Sequence, residues 1–230
     1  MTRIVSVVNQ KGGVAKTTSC ANVGACLAQQ GFRTLLIDLD PQANLTLGLR
    51  QEWDEMPYGL QHTIVDRQKA PLVGLVRHVG DLPLYLVPGH VDMARAEAAL
   101  VRRDETAYNL RDALGEMLES FPFDWILIDC PPSLGVLTQN AIVASTHLLV
   151  PTEPKMYAFA GMDILNKMVS GLSRDYQFEV KLLGVQPAAT GAPDADGVIR
   201  WRVDLAPGAT QTLKLDYQIT RPKDWKLYQN

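Results

Sequence analysis

Cysteine is scarce in this chain and follows no pattern. Cys20, Cys26 and Cys130 are odd in number and show no C-x-x-C spacing, which argues against a disulfide framework or a zinc site and leaves three small residues suited to burial. No stretch approaches the ~20 consecutive apolar residues of a membrane span, and no charged-then-apolar leader stands near the N-terminus, so the expected compartment is the cytoplasm. An excess of basic residues is also missing. The net charge of −3 argues against a chain that binds polyanions over its whole surface, while a local basic face stays open. His62, His78, His90 and His147 are scattered without ligand spacing and read as surface or satisfied histidines. What is plentiful is apolar material: 47% of 230 residues, enough for a sizeable core.

The most informative block stands at the start. An apolar strand, Ile4-Val5-Ser6-Val7-Val8, runs into Asn9-Gln10-Lys11-Gly12-Gly13-Val14-Ala15-Lys16-Thr17-Thr18. A strand that ends in a glycine-rich turn and restarts as a helix aims several backbone N–H groups into one concavity, with the positive end of the helix dipole behind them. That concavity suits a polyphosphate. Lys16 can neutralise the β- and γ-phosphates, and the Thr17 hydroxyl is placed to ligate Mg²⁺. The general pattern G-x-x-x-x-G-K-[ST] is not met, because Gln10 and Ala15 stand where its glycines should be. A positive φ at position 15 would cost alanine about 1–2 kcal/mol.

Further along, short apolar runs alternate with helical stretches. Residues 17–30 form a helix of small residues closed by Gly31. Arg33–Asp38, Leu84–Val87, Trp125–Asp129, Leu148–Val150 and Val180–Val185 read as strands, and Met93–Leu118, broken near Arg103-Asp104, and Met162–Leu172 read as helices. This alternation predicts an α/β fold: a doubly wound, mostly parallel sheet with helices on both faces. Ligands of such sheets bind beyond the carboxyl ends of the strands, and Asp38, Asp40 and Asp129 fall there. Any one of them alone would be read as a turn or N-cap residue. At two strand ends beside a phosphate loop, they are candidate Mg²⁺ and water-orienting groups.

The loop resembles the variant K-G-G-x-G-K-[ST], the deviant Walker A motif of the ParA/MinD ATPases, with Ala15 as the one departure. With Asp38 to Asn44, Val87-Pro88-Gly89 to Glu97, Asp129 to Ser133 and Val150 to Met162, the resemblance narrows to the ParA/Soj partitioning ATPases over residues 1–185. It implies a P-loop fold that binds ATP and Mg²⁺, with Gly12, Gly13, Val14, Ala15, Lys16, Thr17 and Thr18 around the nucleotide. It implies that Lys11 reaches across an ATP-dependent homodimer, that Asp40 orients the attacking water, and that Thr17, Asp129 and Asp38 serve the metal, with Asp38 alternatively supporting loop geometry. Glu153 and Tyr157 would then sense nucleotide state. It also implies a ParB-like partner, non-specific DNA binding in chromosome or plasmid partition, and association with the nucleoid.

The last 45 residues depart from that family. Residues 186–197 read as a linker, and 198–230 as an antiparallel hairpin in which Ile199, Trp201, Val203 and Leu205 share one face and Leu213, Leu215, Tyr217 and Ile219 another. This tail is similar to the closing strands of an unrelated β-sandwich, as a fusion or frameshift would produce. It lacks the basic C-terminal face that the family uses for DNA, and the domain before it is expected to be truncated. Two alternatives follow: a nucleotide-binding remnant without turnover, and a membrane-associated ATPase of the MinD type. The latter needs a basic amphipathic helix at the C-terminus where the pattern has period two. Arg102 and Arg103 are read as a solvated helix face rather than a DNA contact.

Overall fold

A computed structural model describes residues 2–49, 58–65, 70–100, 106–152 and 158–187. All of them lie in one compact unit, Met1–Ala188. Seven strands form a single sheet: β1 (Arg3–Val7), β2 (Thr34–Asp38), β3 (Arg77–His78), β4 (Leu84–Val87), β5 (Trp125–Asp129), β6 (His147–Thr152) and β7 (Lys181–Pro187). Their order is β3-β4-β2-β5-β1-β6-β7, and every pairing is parallel except the short β3–β4 edge. The helices are α1 (Lys16–Gln29), α2 (Asn44–Gly48), α3 (Leu60–Val65), α4 (Met93–Leu100), α5 (Asn109–Ser120), α6 (Val136–Ala144) and α7 (Ala158–Tyr176). The chain is thus an α/β protein with a mostly parallel, doubly wound sheet.

Period-two alternation divides the strands between two cores. Leu35, Ile37, Ile126 and Ile128 face one side, where side chains of α3, α4, α5, α6 and α7 cover them. Val5, Val7, Leu36, Leu86 and Leu127 face the other, under α1 and α2. Burial on both faces is why these strands read as continuous apolar runs. On the second side α1 comes very close, and the reason is Gly24: a Cβ there would stand 2.5 Å from Leu36 Cδ2 and 3.3 Å from Leu127 Cδ1. The helix ends at Gln29 with Gln30 as its C-cap; Gly31, expected at the cap, follows it with a φ of 87° that a side chain would resist.

Four of these strands and α-helices had no counterpart in the sequence reading. The 5-residue α2 and the 6-residue α3 are too short to show a period. The two-residue β3 is an edge pair. α6 is buried nearly all round, so it carries no amphipathic stripe; its Asn140 is satisfied by accepting from the Leu110 N–H and donating to the Val136 carbonyl. β7 runs on to Pro187, two residues past the expected end and into the start of the expected linker, because it keeps pairing with β6 through Thr152. Cys20 and Cys130 are buried as expected, whereas Cys26 is only half-buried, on the outer side of α1. Arg102, Arg103, the break near Asp104, the rest of the linker and the hairpin lie outside the described residues.

Substituting Gly24 with alanine forces the Leu36 side chain or the whole helix to shift. We expect a loss of about 1–3 kcal/mol in unfolding free energy, read as a lower denaturant midpoint with an unchanged slope; an unchanged midpoint would show that α1 has room to move.

Candidate functional site

The carboxyl ends of β1, β2 and β5 meet on one rim, and register places the acids there. Asp38 pairs with Asp129 across β2 and β5, and Val7 pairs with Asp129 across β1 and β5. Residues paired in parallel register point to the same face, so the two carboxylates are neighbours. β1 then turns into the glycine-rich loop. Asn9 fixes that turn from both sides, accepting from the Lys11 N–H at 2.9 Å and donating to the Pro151 carbonyl of β6 at 2.7 Å. Gly13 and Ala15 both take positive φ, at 73° and 63°. The departure at position 15 therefore keeps the bend that glycine would make and carries the strain, about 1–2 kcal/mol for an alanine. Ala15 caps α1, and its carbonyl accepts from the Ser19 N–H.

Lys16, at the first position of α1, is 7% exposed. Its ammonium donates back to the Lys11 carbonyl at 3.0 Å, so the side chain folds over the concave side of the loop. Burial lowers its pKa, and the carboxylates of Asp129 and Asp40 oppose that shift. The backbone of Lys11 is pinned by Asn9, while its residue as a whole is exposed.

The three aspartates differ in how their oxygens are used. Asp38 Oδ2 accepts from the Thr46 N–H at 2.8 Å and from the Thr46 hydroxyl at 2.7 Å, and Oδ1 accepts from the Asp40 N–H at 3.3 Å. Thr46 Oγ1 accepts in turn from the Gly89 N–H at 2.9 Å. Gly89 must be glycine for this approach, since a Cβ would stand 2.8 Å from the Asp38 carbonyl oxygen. Of the two roles expected for Asp38, loop geometry is the one for which these bonds are formed. Asp40 shapes the next turn by accepting from the Gln42 N–H at Oδ1 and from the Ala43 N–H at its carbonyl.

Asp129 is the opposite case. Both of its carboxylate oxygens are buried with no hydrogen-bond partner. Leaving such a group unmatched is costly, so its position makes sense for a charge that arrives from outside the chain. Burial pushes its carboxyl up to about 7, with Asp38 and Asp40 adding to the rise; the Thr17 hydroxyl and Lys16 temper it, the hydroxyl without completing a hydrogen bond. Asp38 is likewise pushed up to about 6, mainly by burial. Among the described residues no three His, Cys, Asp or Glu side chains group closely enough to hold a metal alone. A hard cation here would rely on one carboxylate, a hydroxyl and oxygens of its ligand, the pattern of Mg²⁺ with a polyphosphate, and the donor set of Asp129 and Thr17 fits it.

The structure thus brings together Gly12, Gly13, Val14, Ala15, Lys16, Thr17 and Thr18 with Asp38, Asp40 and Asp129, all on one rim. Glu153 and Tyr157 lie outside the described residues. Thr46, which holds Asp38 in place, was not among the expected site residues; its signal was faint, a threonine in a five-residue helix eight positions past the acid.

A family model described as an AAA domain matches residues 2–182. Sporulation initiation inhibitor protein Soj of Bacillus subtilis is 36% identical over 185 residues, covering 80% of this chain and 72% of that protein. The chain belongs to the ParA/Soj family. Chromosome partitioning protein ParA of Myxococcus xanthus is 36% identical over 183 residues, covering 80% of this chain and 63% of that protein. Among solved structures, cobyrinic acid a,c-diamide synthase of Mycobacterium smegmatis with bound ATP analogue and magnesium is 38% identical with a TM-score of 0.73, over 81% of this chain and 75% of that one. An ATP complex of a McdA variant from Cyanothece is 26% identical with a TM-score of 0.74, over 81% of this chain and 70% of that one. The fold of this chain is therefore that of the ParA-type P-loop ATPases.

Because burial raises Asp38 and Asp129 above their unfolded values, the folded chain binds protons that the unfolded chain has released. The stability this contributes is complete below about pH 4 and is lost as the pH rises through about 6 and then about 7. Asp129→Asn removes the second step. We expect the variant to gain on the nucleotide-free wild type between pH 5.5 and pH 8, by on the order of 1 kcal/mol or more in denaturant titrations; a difference independent of pH would show that Asp129 is an ordinary carboxylate.

Proposed function

We propose that this ParA-type protein is a Mg²⁺-dependent ATPase, with the rim of β1, β2 and β5 as its catalytic site. The observation that carries the reading is Asp129, buried with both oxygens unmatched beside Lys16 and Thr17 at a strained phosphate loop. In this reading the ATPase domain, expected over 1–185, runs to the end of β7 at Pro187, followed by a linker to 197 and a hairpin tail over 198–230.

The backbone N–H groups of residues 12–18 hold the phosphates, and the Lys16 ammonium turns from the Lys11 carbonyl to the β- and γ-oxygens. Thr17 and Asp129 would hold Mg²⁺, which would supply neutralisation of charge on the phosphate oxygens. Asp38, locked by Thr46, sets the turn that carries Asp40. Asp40 orients the water that attacks the γ-phosphorus, and the bond to the β-γ bridging oxygen breaks to give ADP and phosphate. Lys11 belongs to the second copy's nucleotide in an ATP-bound homodimer, so hydrolysis waits on assembly.

The proposed role is chromosome or plasmid partition, through dimer-dependent DNA binding and stimulation by a ParB-like partner, in the cytoplasm at the nucleoid. Support comes from the names of the relatives, which include a chromosome partitioning protein ParA and Soj. Among the described residues no helix is long and apolar enough to cross a membrane.

The test is ATP binding and turnover with Mg²⁺ in the wild type, Lys16→Ala and Asp40→Ala. Lys16→Ala should weaken ATP binding at least about tenfold. Asp40→Ala should bind as the wild type does and lose turnover by about a hundredfold or more. Binding without turnover in the wild type would favour a nucleotide-binding remnant, and absence of binding would overturn the reading.

A further inference from the structure

We propose that Glu97 of α4 is a positioning residue for the Cys130–Gly135 loop that follows Asp129, making α4 the mechanical link between the two acid-bearing loops of the site.

At its entrance, α4 is anchored to the loop after β2. Gly89, four residues before Met93, donates to Thr46 Oγ1 and lies so close to Asp38 that a Cβ would meet the Asp38 carbonyl oxygen and Cγ, each at 2.8 Å. In its body, α4 packs against α6. There Glu97 is half-buried, and burial pushes its carboxyl up. The carboxyl rests on Gly135: a Cβ built on that residue would sit against Glu97 Oε1, with Ser133 Oγ 3.5 Å away. Gly135 is the N-cap of α6, with φ −71° and ψ −174°, and no side chain there caps the helix by hydrogen bonding. The shape of the Glu97 side chain thus fills the space beside the first turn of α6 that a side chain at 135 would take. Thr138 Oγ1 closes the same turn by donating to the Ser133 carbonyl at 2.7 Å.

The far side of this loop reaches the phosphate cradle. Pro132 Cβ stands 4.0 Å from where a Cβ on Gly12 would be. Glu97 thus meets the loop at Gly135, Pro132 of that loop faces Gly12 of the cradle, and the segment that leads into the same helix holds Asp38 through Gly89 and Thr46. The φ of Gly135 is one that any residue adopts, so what a side chain there would meet is the end of the Glu97 side chain, which would have to swing aside. Removing the carboxyl frees the loop from α4. Adding a methyl at 135 pushes the two apart.

The experiment is amide hydrogen exchange on nucleotide-free protein, compared among the wild type, Glu97→Ala, Glu97→Gln, Gly135→Ala and the Glu97→Ala/Gly135→Ala double variant. We expect Glu97→Ala and Gly135→Ala each to speed exchange at residues 133–138 and 12–13 by about tenfold, with β1 and β5 still protected. Glu97→Gln, which keeps the shape, should stay near wild type, and the double variant should be no faster than Glu97→Ala alone. Should Glu97→Ala unfold, Gly135→Ala decides by the same pattern. Exchange unchanged at 133–138, or a methyl at 135 that adds its full effect to Glu97→Ala, would overturn the proposal. A second readout rests on the ATPase reading above: Glu97→Ala and Gly135→Ala should lower kcat by about five- to tenfold with KM for ATP changed less than about twofold. A rise in KM with kcat intact would count against positioning. If the wild type lacks turnover, that reading falls while the exchange result still judges the role of Glu97.

Discussion

The structure is organised around two carboxylates that cannot both be comfortable. Asp38 and Asp129 end adjacent strands in register, fully buried, on the same face of the sheet. Burial raises the pKa of both, and like charge adds to each, from Asp40 at Asp38 and from Asp38 and Asp40 at Asp129. The chain resolves the conflict unequally. Asp38 is satisfied from within, by Thr46 and the Asp40 backbone; Asp129 is left with Lys16 and Thr17 nearby and no hydrogen bond of its own. That asymmetry is what the proposed function rests on: Asp38 fastens the fold, and Asp129 keeps both oxygens unmatched.

Much of the surrounding architecture exists to hold this pair. The central strands are buried on both faces, which keeps their ends from shifting relative to one another. Gly24 lets α1 lie near enough to the sheet to bring Lys16 over the rim, and Gly89 lets the loop after β4 close on Asp38. Asn9 ties the end of β1 to that of β6. Each is a small or short polar group at a point of close approach, where bulk would move an acid.

How much of this was legible in the sequence follows from the length and burial of each element. The six parallel strands that were read as apolar runs, together with the acids at the ends of β2 and β5, stood out because doubly buried strands are short, apolar and bounded by turns. The phosphate loop was legible despite Ala15, since Gly12, Gly13, Lys16 and Thr17 keep its spacing. What escaped was either too short for a period, like α2, or too uniformly buried to have one, like α6. The lock on Asp38 escaped for another reason: Thr46 and Gly89 meet it only through the fold, and neither has a distinctive neighbourhood along the chain.

The backbone at Ala15 narrows what this locus can become. A left-handed turn accepts glycine freely, asparagine and aspartate with some ease, and β-branched residues hardly at all. In the genetic code an alanine codon lies one nucleotide change from glycine, from aspartate or from valine. Random substitution at this codon therefore samples an easier loop, a loop with a new negative charge where phosphate should sit, and a loop that cannot close. Selection on a closed loop would favour glycine and alanine over valine at this position.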